Sequence, residues 1–170
     1  MRSDAGSEPT PERSRDPGRL ALAAGIVLGL IALDQVTKAW AVAALSDGPA
    51  SIVGTTVELR LSRNTGGAFS LFQQFTPVLA VLAVVVAVVL VRVLQRTRDR
   101  VILVALALVL AGAIGNLLDR IFRAPGFLRG AVVDFIGIDR FPTFNVADSA
   151  ITIGAVLLVL WGWRHEAEPT

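Results

Sequence analysis

Residues 101–120 read VILVALALVLAGAIGNLLDR: fifteen residues from Val101 to Gly115 carry no polar side chain, and Asn116, Asp119 and Arg120 close the stretch. With its flanks this is about 20 residues, or about 30 Å of helix, the thickness of a bilayer's hydrocarbon core. Working outward, Leu20 to Leu33 gives fourteen such residues and Pro77 to Val91 fifteen, while only Thr152 interrupts Ala150 to Trp163. The expected fold is an all-α membrane protein with four transmembrane helices, near 20–43, 76–94, 101–120 and 146–163. Composition agrees: 54% of the 170 residues are hydrophobic, 18% are charged, and mean hydropathy is +0.64.

Charge is crowded into the first 19 residues, 92–100 and 119–140. Arg92, Arg96, Arg98 and Arg100 fall in the short connection between the second and third helices, which the positive-inside bias assigns to the cytoplasm together with both termini. The loops 44–75 and 121–145 then face outward, although the second carries Arg123, Arg129 and Arg140 against that bias. Trp161 and Trp163 suit the inner interface and Trp40 the outer one. Residues 1–19 read as a disordered cytoplasmic tail, 20–163 as one membrane domain and 164–170 as a short cytoplasmic tail. A secretory signal peptide competes for the first run. The tail, however, balances four arginines with four acids, and Asp34 and Lys38 interrupt the segment, so a retained span is expected. Within the outer loops, Ser51–Leu61 and Gly130–Ile138 have strand-like composition and must pair with each other, because an unpaired strand edge cannot face hydrocarbon.

The chain has no Cys, one His (His165) and one Lys (Lys38), which excludes thiol catalysis, zinc fingers, iron–sulfur clusters and histidine triads. No metal or other cofactor is expected. Attention falls on polar residues at membrane depth, each costing about 2.5–3.5 kcal/mol on insertion scales when charged. Asp34 and Lys38, four apart on one helix face, read first as an ion pair and second as a hydrolase base. Asn64, followed by Gly66 and Gly67, suits either a turn or the binding of an extended peptide. Gly112 permits close helix contact, and Asn116, Asp119 and Arg120 share one side of the third helix. Asn145 and Asp148 have the spacing of an N-cap and its capping-box partner. Asp134, between Val133 and Phe135, has no local partner, so it must be neutral or find one elsewhere in the fold.

If Asp134 and Asp148 meet, like charges in a poorly solvated place prevent both from ionising, leaving one acid and one base able to hydrolyse a peptide bond through water. The helix N-terminus favours ionised Asp148, although the pair titrates as a unit. The rival readings are a small channel or transporter subunit using the intramembrane charges as an ion path, and a non-catalytic membrane scaffold.

Five segments in order, Asp34-Gln35-Val36-Thr37-Lys38, Asn64-Thr65-Gly66-Gly67-Ala68-Phe69, Gly115-Asn116-Leu117-Leu118-Asp119-Arg120, Val132-Val133-Asp134-Phe135 and Phe144-Asn145-Val146-Ala147-Asp148-Ser149, resemble bacterial lipoprotein signal peptidase, the signal peptidase II family. The resemblance implies an aspartic endopeptidase of the bacterial inner (cytoplasmic) membrane with Asp134 and Asp148 as catalytic dyad. It also implies a small extracytoplasmic β-cradle on the four helices. Asp34, Lys38, Asn64, Gly66, Gly112, Asn116, Asp119, Arg120 and Asn145 map onto positions that shape or line the site. The implied substrate is a diacylglyceryl-modified prolipoprotein cut before its lipidated Cys. The expected surroundings are membrane lipid, a monomeric enzyme and no nucleic acid. The chain departs from the family pattern at Gly67, where Ala is common, and in a longer stretch between Arg120 and Asp134.

Overall fold

The computed structural model describes residues 17–54, 56–65 and 76–166. Four helices, α1 (Pro17–Ala44), α2 (Thr76–Arg96), α3 (Arg100–Phe122) and α4 (Val146–Glu166), are each long and apolar enough to cross a membrane. Four strands, β1 (Ala50–Val53), β2 (Val57–Asn64), β3 (Val132–Ile138) and β4 (Phe141–Phe144), form one antiparallel sheet in the order β1-β2-β3-β4. The described helices follow the expected spans and each reaches a little beyond its span at one or both ends, furthest at the start of α1 and the end of α4. α1 begins at Pro17, inside the expected tail, because proline's fixed φ suits a first helical turn. α4 continues past Trp163 to Glu166, and Arg164 and His165 in its last turn favour the negative end of the helix dipole. The rest of the expected N-terminal tail, residues 1–16, lies outside the described residues.

α3 is the hub: it packs against α4, α1 and α2, and half of its apolar window is buried, against 11–17% in the other three helices. The exposed side chains of α2, among them Val78, Val81, Leu82, Val85, Val88 and Val89, therefore form an apolar outer face suited to lipid tails. Small residues let α3 and α4 approach closely. A Cβ on Gly112 would lie 2.6 Å from Ile151 Cγ1, and one on Gly154 would lie 2.6 Å from the Ala105 carbonyl oxygen. At one end of the bundle Ala23, Leu94, Leu103, Leu106, Ala107 and Leu110 form the apolar core. There Asp99 caps α3 by accepting the Val101 and Ile102 N–H groups, which holds its carboxyl below the usual range. Its second oxygen accepts from Trp161 Nε1 at 3.1 Å and so ties the start of α3 to the end of α4.

The sheet sits at the opposite end, where Phe135, Leu59, Leu61 and Ile136 pack on Ala41 and Leu45, and Trp40 meets Phe135 edge-on with ring centroids 6.3 Å apart. The two strand-like stretches do pair: β2 and β3 are antiparallel, with Ser62 opposite Asp134 and Asn64 opposite Val132. Ser51–Leu61 proves to be two strands turned at Gly54, whose φ of 52° suits glycine. β4 was not anticipated. Pro142 lowers the strand signal of its segment, and an edge strand tolerates it because one row of N–H groups needs no partner.

Candidate active site

The expected polar residues converge where α1 and α3 meet the N-terminus of α4 and strand β3. At the base of the site lies Lys38, fully buried, whose ammonium spends its three N–H groups on three acceptors. These are Asp34 Oδ2 at 2.9 Å, Asp119 Oδ2 at 2.9 Å and Asn116 Oδ1 at 2.9 Å. The Asp34–Lys38 pair expected from i,i+4 spacing is present, but its role is tertiary as well as local. Asp34 Oδ1 accepts the Ala147 N–H at 3.0 Å, satisfying one of the orphan donors of α4 from another helix. Gly115 makes room for this contact, since a Cβ there would stand 2.7 Å from Asp34 Oδ2. Asp119 anchors the sheet: Oδ2 accepts the Val133 N–H at 3.1 Å, and Oδ1 is ion-paired with Arg123 Nε at 2.5 Å.

Two amides stand above this base. Asn145 caps α4 as its spacing foretold, accepting the Asp148 N–H at 2.9 Å, while Asp148 Oδ2 accepts the Asn145 N–H at 3.3 Å. The cap also links the two carboxylates, because Asn145 Nδ2 donates to Asp134 Oδ1 at 2.6 Å and to Asn116 Oδ1 at 3.2 Å. Asn116 Nδ2 in turn donates to Asp148 Oδ1 at 2.8 Å. Asp134 thus has the non-local partners that its sequence setting demanded, Asn145 and, through a side-chain hydrogen bond, Asn64. Burial first, and then the negative charge of Asp148, push the Asp134 carboxyl up to about 6 against the opposing pull of Asn145, Asn64 and Lys38.

A groove of about 590 Å³ opens beside this network, lined by Asn64, Asn116, Arg120 and Asp148 on its polar side and by Val132, Phe141, Phe144 and Ile153 among its apolar residues. Asp148 faces the groove directly. Asp134, 2% exposed, and Asn145, fully buried, do not line it and stand behind in the hydrogen-bonded network. Arg120 donates from Nη1 to the Asn116 carbonyl at 3.3 Å, and its buried Nε has no hydrogen-bond partner among the described residues. Gly112 acts at the α3–α4 contact rather than in the groove, and Gly66 and Gly67 lie outside the described residues.

Sequence reading passed over three contributors. Gln35 donates to Asp34 Oδ2 and to the Gly115 carbonyl, each at 3.1 Å, and its signal was an amide inside an apolar helix. Arg123, read only as a charge against the topology bias, is the i+4 partner of Asp119. The groove wall of β4 had no legible signal.

Fold and site together define an integral membrane protein with its polar machinery gathered at one end of a four-helix bundle. Comparison narrows this class. The family described as signal peptidase (SPase) II matches residues 26–164, and the chain belongs to that family. It is 45% identical over 152 residues to the lipoprotein signal peptidase of Mycobacterium avium (strain 104), covering 89% of this chain and 84% of that one. To the lipoprotein signal peptidase of Streptomyces coelicolor it is 41% identical over 155 residues, covering 91% and 76%. A solved bacterial membrane enzyme superposes with a TM-score of 0.78 at 25% identity, covering 89% of this chain and 93% of that one. A second superposes with a TM-score of 0.71 at 27% identity, covering 83% and 92%.

Proposed function

We propose that this chain is an aspartic endopeptidase that removes signal peptides from diacylglyceryl-modified prolipoproteins, cutting before the lipidated Cys with Asp134 and Asp148 as its dyad. Membership in the signal peptidase II family and relatives named lipoprotein signal peptidase support the substrate class. The observation that carries the chemistry is the linkage of the two carboxyls through the fully buried Asn145, whose side-chain amide donates to Asp134 and whose backbone N–H donates to the Asp148 carboxyl, beside an open groove. One carboxyl takes a proton from water as that water attacks the scissile carbonyl, and the other protonates the carbonyl oxygen, so no covalent enzyme intermediate is needed. Asp34, Lys38, Asn116, Asp119 and Asn145 hold the pair, while Asn64 and Arg120 offer polar groups to the extended peptide in the groove. The closed hydrogen-bonded network at one end of the bundle favours hydrolysis over an ion path, in which charges would be strung through the midplane.

In this reading the enzyme is a monomer of the bacterial inner membrane with both termini cytoplasmic. The sheet is then an extracytoplasmic cradle, and the dyad lies near the outer face. Residues 20–163 act as the peptidase domain, flanked by short cytoplasmic tails. Lipid sets the depth of the substrate: each buried methylene contributes about 0.8 kcal/mol, so two acyl chains concentrate precursor in the membrane beside the groove.

The test is cleavage in one bilayer of modified and unmodified precursors of identical peptide sequence. The modified precursor is cut at least tenfold faster. Asp134→Asn and Asp148→Asn each abolish cutting while remaining folded, since Asn keeps the shape but passes no proton. Equal rates on the two precursors would leave an ordinary membrane protease, and residual parental activity in either variant would remove the dyad.

A further inference from the structure

We infer that Lys38 and Asn116, neither of them a reacting group, determine which carboxyl of the dyad holds the proton: Asp148 is the ionised base and Asp134 the acid. The inference rests on the dyad reading above and deepens it. It follows from donors that cannot change roles. A lysine ammonium only donates, and with Asp34 and Asp119 taking two of its N–H groups, the third meets Asn116 Oδ1 at 2.9 Å. The carbonyl of Asn116 is therefore turned to Lys38, and its amide N–H points at Asp148 Oδ1, 2.8 Å away. A flipped Asn116 would set N–H against ammonium and carbonyl against carboxylate. The second oxygen of Asp148 accepts a backbone N–H, that of Asn145, which is equally fixed as a donor. With donors on both oxygens at the N-terminus of α4, Asp148 is the better placed of the two carboxyls to carry the negative charge.

The amide of Asn145 is fixed in the same way, because its carbonyl accepts the Asp148 N–H, so its N–H groups face Asp134 Oδ1. That leaves Asp134 Oδ2 for the proton. The other amide beside Asp134, Asn64, pulls against the proton as it stands, whereas turned about its χ2 it would present a carbonyl that accepts the Asp134 proton. The charged groups that act on the pair are Asp34 and Lys38 from α1 and Arg120 from α3, with Asp119 behind them paired to Lys38. Lys38 and Arg123 balance Asp34 and Asp119 at the base of the site.

The reaction then has one direction. The water oxygen bonds to the scissile carbon while its proton goes to Asp148, and Asp134 gives its proton to the carbonyl oxygen, forming a neutral tetrahedral diol. The C–N bond breaks as Asp148 passes its proton to the leaving nitrogen. One diol hydroxyl returns a proton to Asp134, and both residues end as they began.

Infrared titration of the single-carboxyl variants in detergent tests the assignment without turnover. The carboxyl remaining in Asp148→Asn, which is Asp134, titrates at higher pH than the carboxyl remaining in Asp134→Asn, which is Asp148. The reverse order overturns the inference. Adding Asn116→Leu to Asp134→Asn raises the Asp148 midpoint by about one unit, a tenfold shift in proton affinity. The charge-balanced replacement Lys38→Met with Asp34→Asn, made in the same Asp134→Asn background, moves it in the same direction. If neither replacement moves the midpoint, Lys38 and Asn116 serve packing alone and their proposed role falls. Failure of the dyad itself is read separately, as cleavage by either single-carboxyl variant.

Discussion

A carboxyl buried at 2% exposure and pushed up to about 6 is costly to ionise, and Asp134 accordingly makes the fold sensitive to pH. Between the unfolded value of 3.8 and about 6, native protein holds a proton that unfolded chain has released, so stability falls as pH rises through this window. Asp134→Asn removes that dependence and keeps an oxygen for Asn145 Nδ2. In detergent at pH 7–8 the variant unfolds at a higher temperature than the parent, by the equivalent of about 1–3 kcal/mol, and the gap closes as pH is lowered toward 4. A variant less stable than the parent at pH 8 would mean that Asp134 is ionised at little cost. Asp134 was legible in the sequence as a carboxyl needing a distant partner. The partners, Asn64 and Asn145, were not, because they come from a neighbouring strand and a helix cap.

At the scale of elements, glycine separates positions that sequence alone treats alike. A Cβ on Gly25 or Gly29 of α1 would meet nothing within 4 Å, whereas one on Gly154 of α4 would face the Ala105 carbonyl oxygen at 2.6 Å and Val109 Cγ2 at 2.7 Å. Gly25→Ala therefore leaves stability unchanged or raises it by up to about 1 kcal/mol through helix propensity. Gly154→Ala pushes α4 away from α3 and costs about 1–3 kcal/mol, as overpacking does. Because α4 carries Asp148 at its first turn, the same change lowers cleavage, and thermal unfolding with a rate assay on the two variants checks both effects. The capping box of α4 was readable from Asn145 and Asp148 alone, since its partners lie three residues apart. The Asp34 contact to Ala147 was not, since it joins residues 113 apart.

For the whole molecule, the proposed orientation predicts which ends are accessible from which side. The chain has no Cys, so single cysteines report cleanly. In intact cells or right-side-out vesicles, Arg98→Cys in the α2–α3 connection is protected from an impermeant thiol reagent, while Arg140→Cys between β3 and β4 is labelled. The opposite pattern would invert the topology. The four apolar spans and their order followed from hydropathy because bilayer thickness imposes a length on any crossing helix, whatever it packs against. The order of polar motifs along those spans likewise carried the family resemblance before any packing was known. Only the tertiary structure decided that α3 is the central helix, that β4 walls the groove, and that Lys38 reaches Asn116 as well as Asp34. Hydropathy and capping act between residues a few positions apart, and periodicity records them. The meeting of Lys38, Asn116, Asp134 and Asp148 depends on how three helices and a sheet pack, which no local pattern encodes.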